Sequence, residues 1–220
     1  AKDVPRLRAL TIAGGELTPA ATRMIAATSW LLEELNLTAT RGLCGAGLAP
    51  LLAAPTFALR RLNLGSCELD AAALLSLADA PWPLEELRLS SNDFSGAAAA
   101  PALAALSRHH SLRRLEVSYC RLCAAGFKAL VEAAWPALTS LRAINAKAAF
   151  DGPHALGPAA FAGFPALEQL ALDGVQLGKA GARLLASRRW PRLKVLRLDH
   201  TELGDAGLAA LERGAWPALK

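Results

Sequence analysis

The chain has 220 residues, of which 53% are hydrophobic and 20% charged, a balance that can bury a core and excludes disorder by composition. Only 5% are aromatic, so the apolar content is mostly Ala and Leu and favours helices and thin, close-packed layers. The net charge of +5 is uneven: residues 1–110 carry nine Lys/Arg against ten Asp/Glu, and residues 111–220 fifteen against nine, leaving a basic second half open to acidic partners.

Taken in chain order, the sequence repeats itself. Ala1–Leu10 lacks the charged start and apolar core of a signal peptide. A pattern of the type L-x-x-L-x-L begins at Leu7, Leu32, Leu59, Leu84, Leu112, Leu138, Leu167 and Leu193, at intervals of 25 to 29 residues, and a ninth start stands at Leu219. The clearest copies are Leu167-Glu168-Gln169-Leu170-Ala171-Leu172 and Leu193-Lys194-Val195-Leu196-Arg197-Leu198. In both, the second and third leucines alternate with outward residues, the period-two signature of a short strand. Five residues later comes another apolar anchor, Leu17, Leu69, Phe94, Leu122, Leu177 or Leu203, often with a small residue four places on, as in Leu122/Gly126 and Leu203/Gly207. A helical pattern such as Gly207-Leu208-Ala209-Ala210-Leu211 completes each unit.

No unit can bury its own leucines, but stacked copies can. The expected architecture is an α/β solenoid bent into a horseshoe arc of about eight repeats, with a parallel β-sheet on the concave face and helices on the convex face. The whole of 1–220 reads as one domain. Leu7 belongs to a near-standard repeat and Trp216-Pro217-Ala218-Leu219 opens another that is not completed, neither end having the look of a polar cap, which predicts a fragment of a longer array and possible self-association through uncapped ends.

In pattern and length the units resemble the ribonuclease-inhibitor-like class of leucine-rich-repeat proteins, and the resemblance covers nearly the whole chain. It implies an inward Asn, Cys or Thr two residues before the anchor, bonded to the backbone of the loop. Here that position holds Gly15, Cys67, Asn92, Cys120, Ala146, Val175 and Thr201, with Thr40 displaced by one place. Cys67 and Cys120 are therefore expected to be structural thiols. Cys120-Arg121-Leu122-Cys123 has C-x-x-C spacing but no second ligand pair, which argues against zinc. Four cysteines at low density suggest a reducing, intracellular setting.

Trp82, Trp135, Trp190 and Trp216 each precede Pro, with Trp30, Phe57 and Phe164 at comparable places, two or three residues before the strand leucine. An aromatic there plugs the return from helix to strand, and Pro ends the helix. His110 is expected to replace the aromatic in its own copy.

Recognition is left to the outward strand positions. Before the second leucine these are Ala9, Glu34, Arg61, Glu86, Arg114, Ser140, Gln169 and Val195; after it come Thr11, Asn36, Asn63, Arg88, Glu116, Arg142, Ala171 and Arg197. After the third stand Ala13, Thr38, Gly65, Ser90, Ser118, Ile144, Asp173 and Asp199. Glu33-Glu34, Arg60-Arg61, Glu85-Glu86 and Arg113-Arg114 alternate in sign, so opposite charges face one another between neighbouring strands about 4.8 Å apart and serve register. The least compensated groups on this reading are Arg142, Asp173, Arg197 and Asp199. With Arg88, Arg114 and Glu116 at the centre of the arc, they form the candidate contact set for a protein partner.

The basic run Arg188-Arg189-Trp190-Pro191-Arg192 straddles a helix end and a strand, which speaks for solvated surface over nucleic-acid binding. His109, His110, His154 and His200 form no nucleophile or metal-ligand arrangement, and no phosphate-binding glycine motif or cofactor motif occurs. The longest repeat contains Asp151-Gly152-Pro153 and His154, a candidate exposed loop. No apolar run is long enough for a membrane-spanning helix. The sequence thus predicts a non-catalytic protein-interaction scaffold. The substrate-recognition domain of an F-box-type ubiquitin-ligase receptor and a GTPase-activating protein are the alternatives that the resemblance offers.

Overall fold

The computed structural model describes residues 7–44, 47–146 and 156–220. Eight three-residue strands form one parallel sheet in strict sequence order. They are β1 (Ala9–Thr11), β2 (Glu34–Asn36), β3 (Arg61–Asn63), β4 (Glu86–Arg88), β5 (Arg114–Glu116), β6 (Ser140–Arg142), β7 (Gln169–Ala171) and β8 (Val195–Arg197). The central residue of every strand is the second leucine of its repeat, and these leucines are register partners from Leu10 through Leu35, Leu62, Leu87, Leu115, Leu141 and Leu170 to Leu196. A one-residue slip would turn every leucine into water, so the hydrophobic pattern pins the register.

The return legs are helical: α1 (Pro19–Ala26), α2 (Ala49–Leu52), α3 (Ala71–Ala78), α4 (Ala99–Ala105), α5 (Ala124–Glu132), α6 (Gly178–Ala186) and α7 (Gly204–Glu212). Three start on side-chain caps. Thr18 accepts from Ala21 N at 3.2 Å, Asp70 from Ala73 N at 2.8 Å and the Cys123 sulfur from Gly126 N at 3.4 Å. The glycines four places after the anchors have a packing reason. A Cβ on Gly181 would lie 2.9 Å from Leu177 Cβ, and one on Gly207 would lie 2.9 Å from Leu203 Cβ. Among the described residues no helix is long and apolar enough to cross a membrane.

The core is one continuous stack between sheet and helices, and the first, second and third leucines of the inner repeats are buried in it. Its third position is Val117 in one copy and Ala143 in the next, both fully buried. After each strand the chain turns through a left-handed residue two places beyond the third leucine position: Gly14, Ala39, Ser66, Ser91, Tyr119, Asn145, Gly174 and His200 all have positive φ. Five of these eight sit where Gly or Asn is favoured but carry other side chains. The cost of about 1 kcal/mol at each is met by the stack on both sides.

The inward polar position behaves as the resemblance implies. Thr40 Oγ1 donates to Ile12 O at 3.1 Å, the Cys67 sulfur to Leu37 O at 3.0 Å, Asn92 Nδ2 to Leu64 O at 2.9 Å and the Cys120 sulfur to Leu89 O at 3.1 Å. Each reaches the third-position carbonyl of the preceding repeat, so the ladder ties repeats together inside the core. Asn92 does most. It also donates to Leu89 O at 2.7 Å, and its Oδ1 accepts from Cys67 N at 3.1 Å and Leu69 N at 2.9 Å. The ladder lapses at Ala146 and Val175 and ends with Thr201, which bonds within its own turn to Leu198 O at 2.6 Å.

The aromatic plugs are observed with one correction. Trp135, Trp190 and Trp216 each donate Nε1–H to the carbonyl five residues earlier, at 2.8 to 2.9 Å, closing the C-terminal turn of the preceding helix. In the fifth repeat the inward residue is His109 and not His110. His109 is 7% exposed and its Nε2 lies 2.8 Å from Leu77 O, whereas His110 is exposed. The cause is a 3-10 turn at Leu106–Arg108, which tightens the end of α4 and rotates His109 inward. His109 thereby takes the carbonyl that Trp82, by analogy with the other tryptophans, would use, and Trp82 Nε1 is buried without a partner.

Candidate functional site

The face of the sheet opposite the helices is a field of charged side chains. Its pairing follows the register. Glu34 and Arg61 are register partners on β2 and β3, and Arg61 binds Glu34 Oε2 through Nε at 2.9 Å and Nη2 at 2.7 Å. This pairing, more than any other effect, raises the Arg61 pKa. On the next strand Glu86 acts as a hub. Its Oε1 holds Arg88, with Nε at 2.7 Å and Nη2 at 2.6 Å, and its Oε2 accepts Arg114 Nε at 2.9 Å. The Glu86 side chain is only 10% exposed. Burial pushes its carboxyl up, but the Arg114 hydrogen bond and the Arg88 charge outweigh burial and hold its pKa below the usual range. Outside the strands, Glu33 pairs with Arg8, Glu85 with Arg60, and Lys194 with Glu168 at 2.8 Å.

Of the residues singled out from the sequence, Arg88, Arg114, Glu116 and Arg142 come together at the middle of the sheet. They line one depression of about 150 Å³ with Glu86, Ser140 and Gln169. Arg142 Nε is 4.0 Å from Glu116 Oε1, the loosest ion pair on the sheet face. Arg197, Asp173 and Asp199 form a separate group at β8. Arg197 Nη2 lies 3.0 Å from Asp173 Oδ2 and 3.6 Å from Asp199 Oδ2, and Asp173 Oδ1 accepts Asp199 N at 3.1 Å. The reading of these three as poorly compensated is thus corrected; only Arg142 fits it. Asp173 is 7% exposed, and its Oδ2 stands close to Arg197 without hydrogen-bond alignment, a charge contact.

Sequence reasoning placed Glu86 in a column but not in the contact set. Like Glu116 it has an arginine on its own strand and on the next, but Glu86 holds both at hydrogen-bond distance whereas Glu116 stands 4.0 Å from Arg142. Asn36 and Asn63 share the face but are turned to local work, each Oδ1 accepting a backbone N–H two residues on at 3.1 Å. Both asparagines line, with Glu34, Arg61, Glu86 and Arg88, a second depression over β2–β4.

The remaining candidates sit elsewhere. Arg188 is spent on the backbone, donating to Ala160 O at 2.9 Å and to Pro158 O, so the basic run loses its first arginine to structure. Cys120 is buried and its thiol is pushed up to about 12, chiefly by desolvation; Cys67 is raised for the same reason. Cys123 caps α5 instead of facing Cys120. Asp151-Gly152-Pro153 and His154 lie outside the described residues.

A family model described as a leucine-rich repeat matches residues 192–211, the segment that holds β8 and all but the last residue of α7. No curated protein matches the chain. Among solved structures the chain is similar to an internalin (inlF) from Listeria monocytogenes, at 18% identity over 94% of this chain and 72% of that one, with a TM-score of 0.36, too low to bear on function. The matched segment is one of eight units that share a single leucine register, and the chain folds as a leucine-rich-repeat solenoid.

Proposed function

We propose that the chain is a non-catalytic scaffold that captures a protein partner on the concave face of its sheet, with Arg88, Arg114, Glu116, Arg142, Asp173, Arg197 and Asp199 as contacts. The observation that carries this reading is the division of labour within strands β2 to β6. There the central leucine is committed to the core, while the residues on either side are charged or polar and stand on a backbone locked by neighbours. Preorganised charged groups on a rigid surface give orientation and selectivity to an encounter at little entropic cost. Helical return legs support placement within the ribonuclease-inhibitor-like class, and four unbridged thiols support a reducing compartment.

The test compares two double charge reversals in the full chain, Arg114→Glu with Arg142→Glu on the sheet and Arg183→Glu with Arg213→Glu on the helical side. Circular dichroism and melting temperature serve as checks of folding. A partner identified with the unaltered chain should be lost by the sheet variant and kept by the helical one. Loss through the helical variant alone, or retention by both, overturns the proposal.

A further inference from the structure

Charge alternates along the sheet in two columns, one from β2 to β5 and the other from β4 to β6, and each then fails. In the column before the central leucine, Glu34, Arg61, Glu86 and Arg114 face one another on successive strands, and the next residue in line is Ser140. In the column after it, Arg88, Glu116 and Arg142 alternate, and the next residue is Ala171. A continued alternation would place an acid at both positions. Both gaps adjoin one arginine: Ser140 lies two residues before Arg142 on the same face, and Ala171 is its register partner on β7. The geometry records the consequence. Ion pairs in the complete part of the ladder close at 2.6 to 2.9 Å, while the one ion pair of Arg142 among the described residues, with Glu116, stands at 4.0 Å.

We infer that this interruption is a carboxylate socket, which a Glu or Asp side chain of an acidic segment on the protein partner fills in place of the missing acid. The inference rests on the concave-face reading and specifies its chemistry. Arg114 spends only its Nε on Glu86, so its terminal nitrogens remain for a ligand beside those of Arg142. Gln169 and Ser140 supply neutral polar groups at the rim, and the depression over them is open to an incoming chain. A planar carboxylate suits the guanidinium fork, which can bind it with two parallel hydrogen bonds. Glu86 and Glu116 in the wall of the same depression disfavour a dianionic phosphate.

The experiment is fluorescence anisotropy of the full chain with a fluorescein-labelled hexaglutamate peptide, with labelled hexalysine as control and inorganic phosphate as competitor. Saturable binding of hexaglutamate is expected. Ser140→Glu, which supplies the absent acid in cis, should weaken it about tenfold or more while leaving the melting temperature equal or higher. Arg142→Gln should weaken it similarly, and Arg183→Glu should not. Absence of saturable binding, equal affinity for the Ser140→Glu variant, loss through Arg183→Glu, or displacement by phosphate as readily as by unlabelled peptide would each overturn the socket. If the peptide fails while the sheet double reversal still loses the partner, the socket falls and the concave-face reading stands; if neither binding responds to the sheet variants, both fall.

Discussion

Replacing Asn92 by Val tests whether the inner polar ladder, and not leucine burial alone, holds successive repeats together. Val already occupies the equivalent position at Val175, where it is fully buried, so the side chain itself is tolerated by the repeat. What changes is hydrogen bonding. Asn92 serves four backbone groups: Leu64 O, Leu89 O, Cys67 N and Leu69 N. Leu89 O keeps the Cys120 thiol as a donor, leaving three groups without a partner in a site only 4% exposed. At about 1 kcal/mol for each orphaned group, the loss is about 3 kcal/mol, a large share of a typical domain stability. Urea unfolding followed by circular dichroism should show the midpoint fall by about 1 to 2 M at unchanged slope. Gln176→Ala, which removes one exposed bond to Glu202, should change it by less than about 0.5 kcal/mol. A loss below about 1 kcal/mol for the Asn92→Val variant would refute the ladder as a load carrier and leave the leucines alone responsible.

Further outcomes follow from single positions. Gly174→Ala forces a side chain onto a backbone with φ of 72° and into Asn145, and should cost about 1–2 kcal/mol in the same assay. Treatment of the native chain with a thiol reagent at pH 8 should modify Cys44 and Cys123 and spare Cys67 and Cys120 until urea is added. Because the Cys120 pKa is raised on folding, its contribution to stability is present below about 9 and is lost as pH climbs toward about 12; Cys120→Ala should flatten the alkaline limb of a melting-temperature profile. Glu86 has the opposite sign. Its folded pKa is depressed from 4.5, so its contribution is present above that value and is lost as pH falls below it, and Glu86→Gln should flatten the acid limb.

The parts of this structure legible in the sequence are those fixed by the repeat interval. Leucine spacing determines the strand centres, hence the register, hence which charges meet, and the Glu34–Arg61 and Glu86–Arg114 contacts follow from counting. The ladder positions were legible for the same reason. What failed depended on local geometry that spacing does not carry. His109 and His110 are adjacent and chemically identical, and a single 3-10 turn decides which one is buried. Asp173 and Asp199 lie past the strand end, where the turn swings both carboxylates onto Arg197 and makes a compensated group out of apparently isolated charges. Glu86 stayed in the background because its importance lies in holding two arginines at once, a three-body arrangement that no pairwise alternation singles out.

The most direct test of concave-face recognition is site-specific photocrosslinking in the full chain. A photoreactive residue is placed at Gln169, exposed on the sheet beside Ser140 and Arg142, or at Leu208, which is 59% exposed on α7. The partner should crosslink from position 169 and not from position 208. Crosslinking from 208 with none from 169 would put recognition on the helices and contradict it.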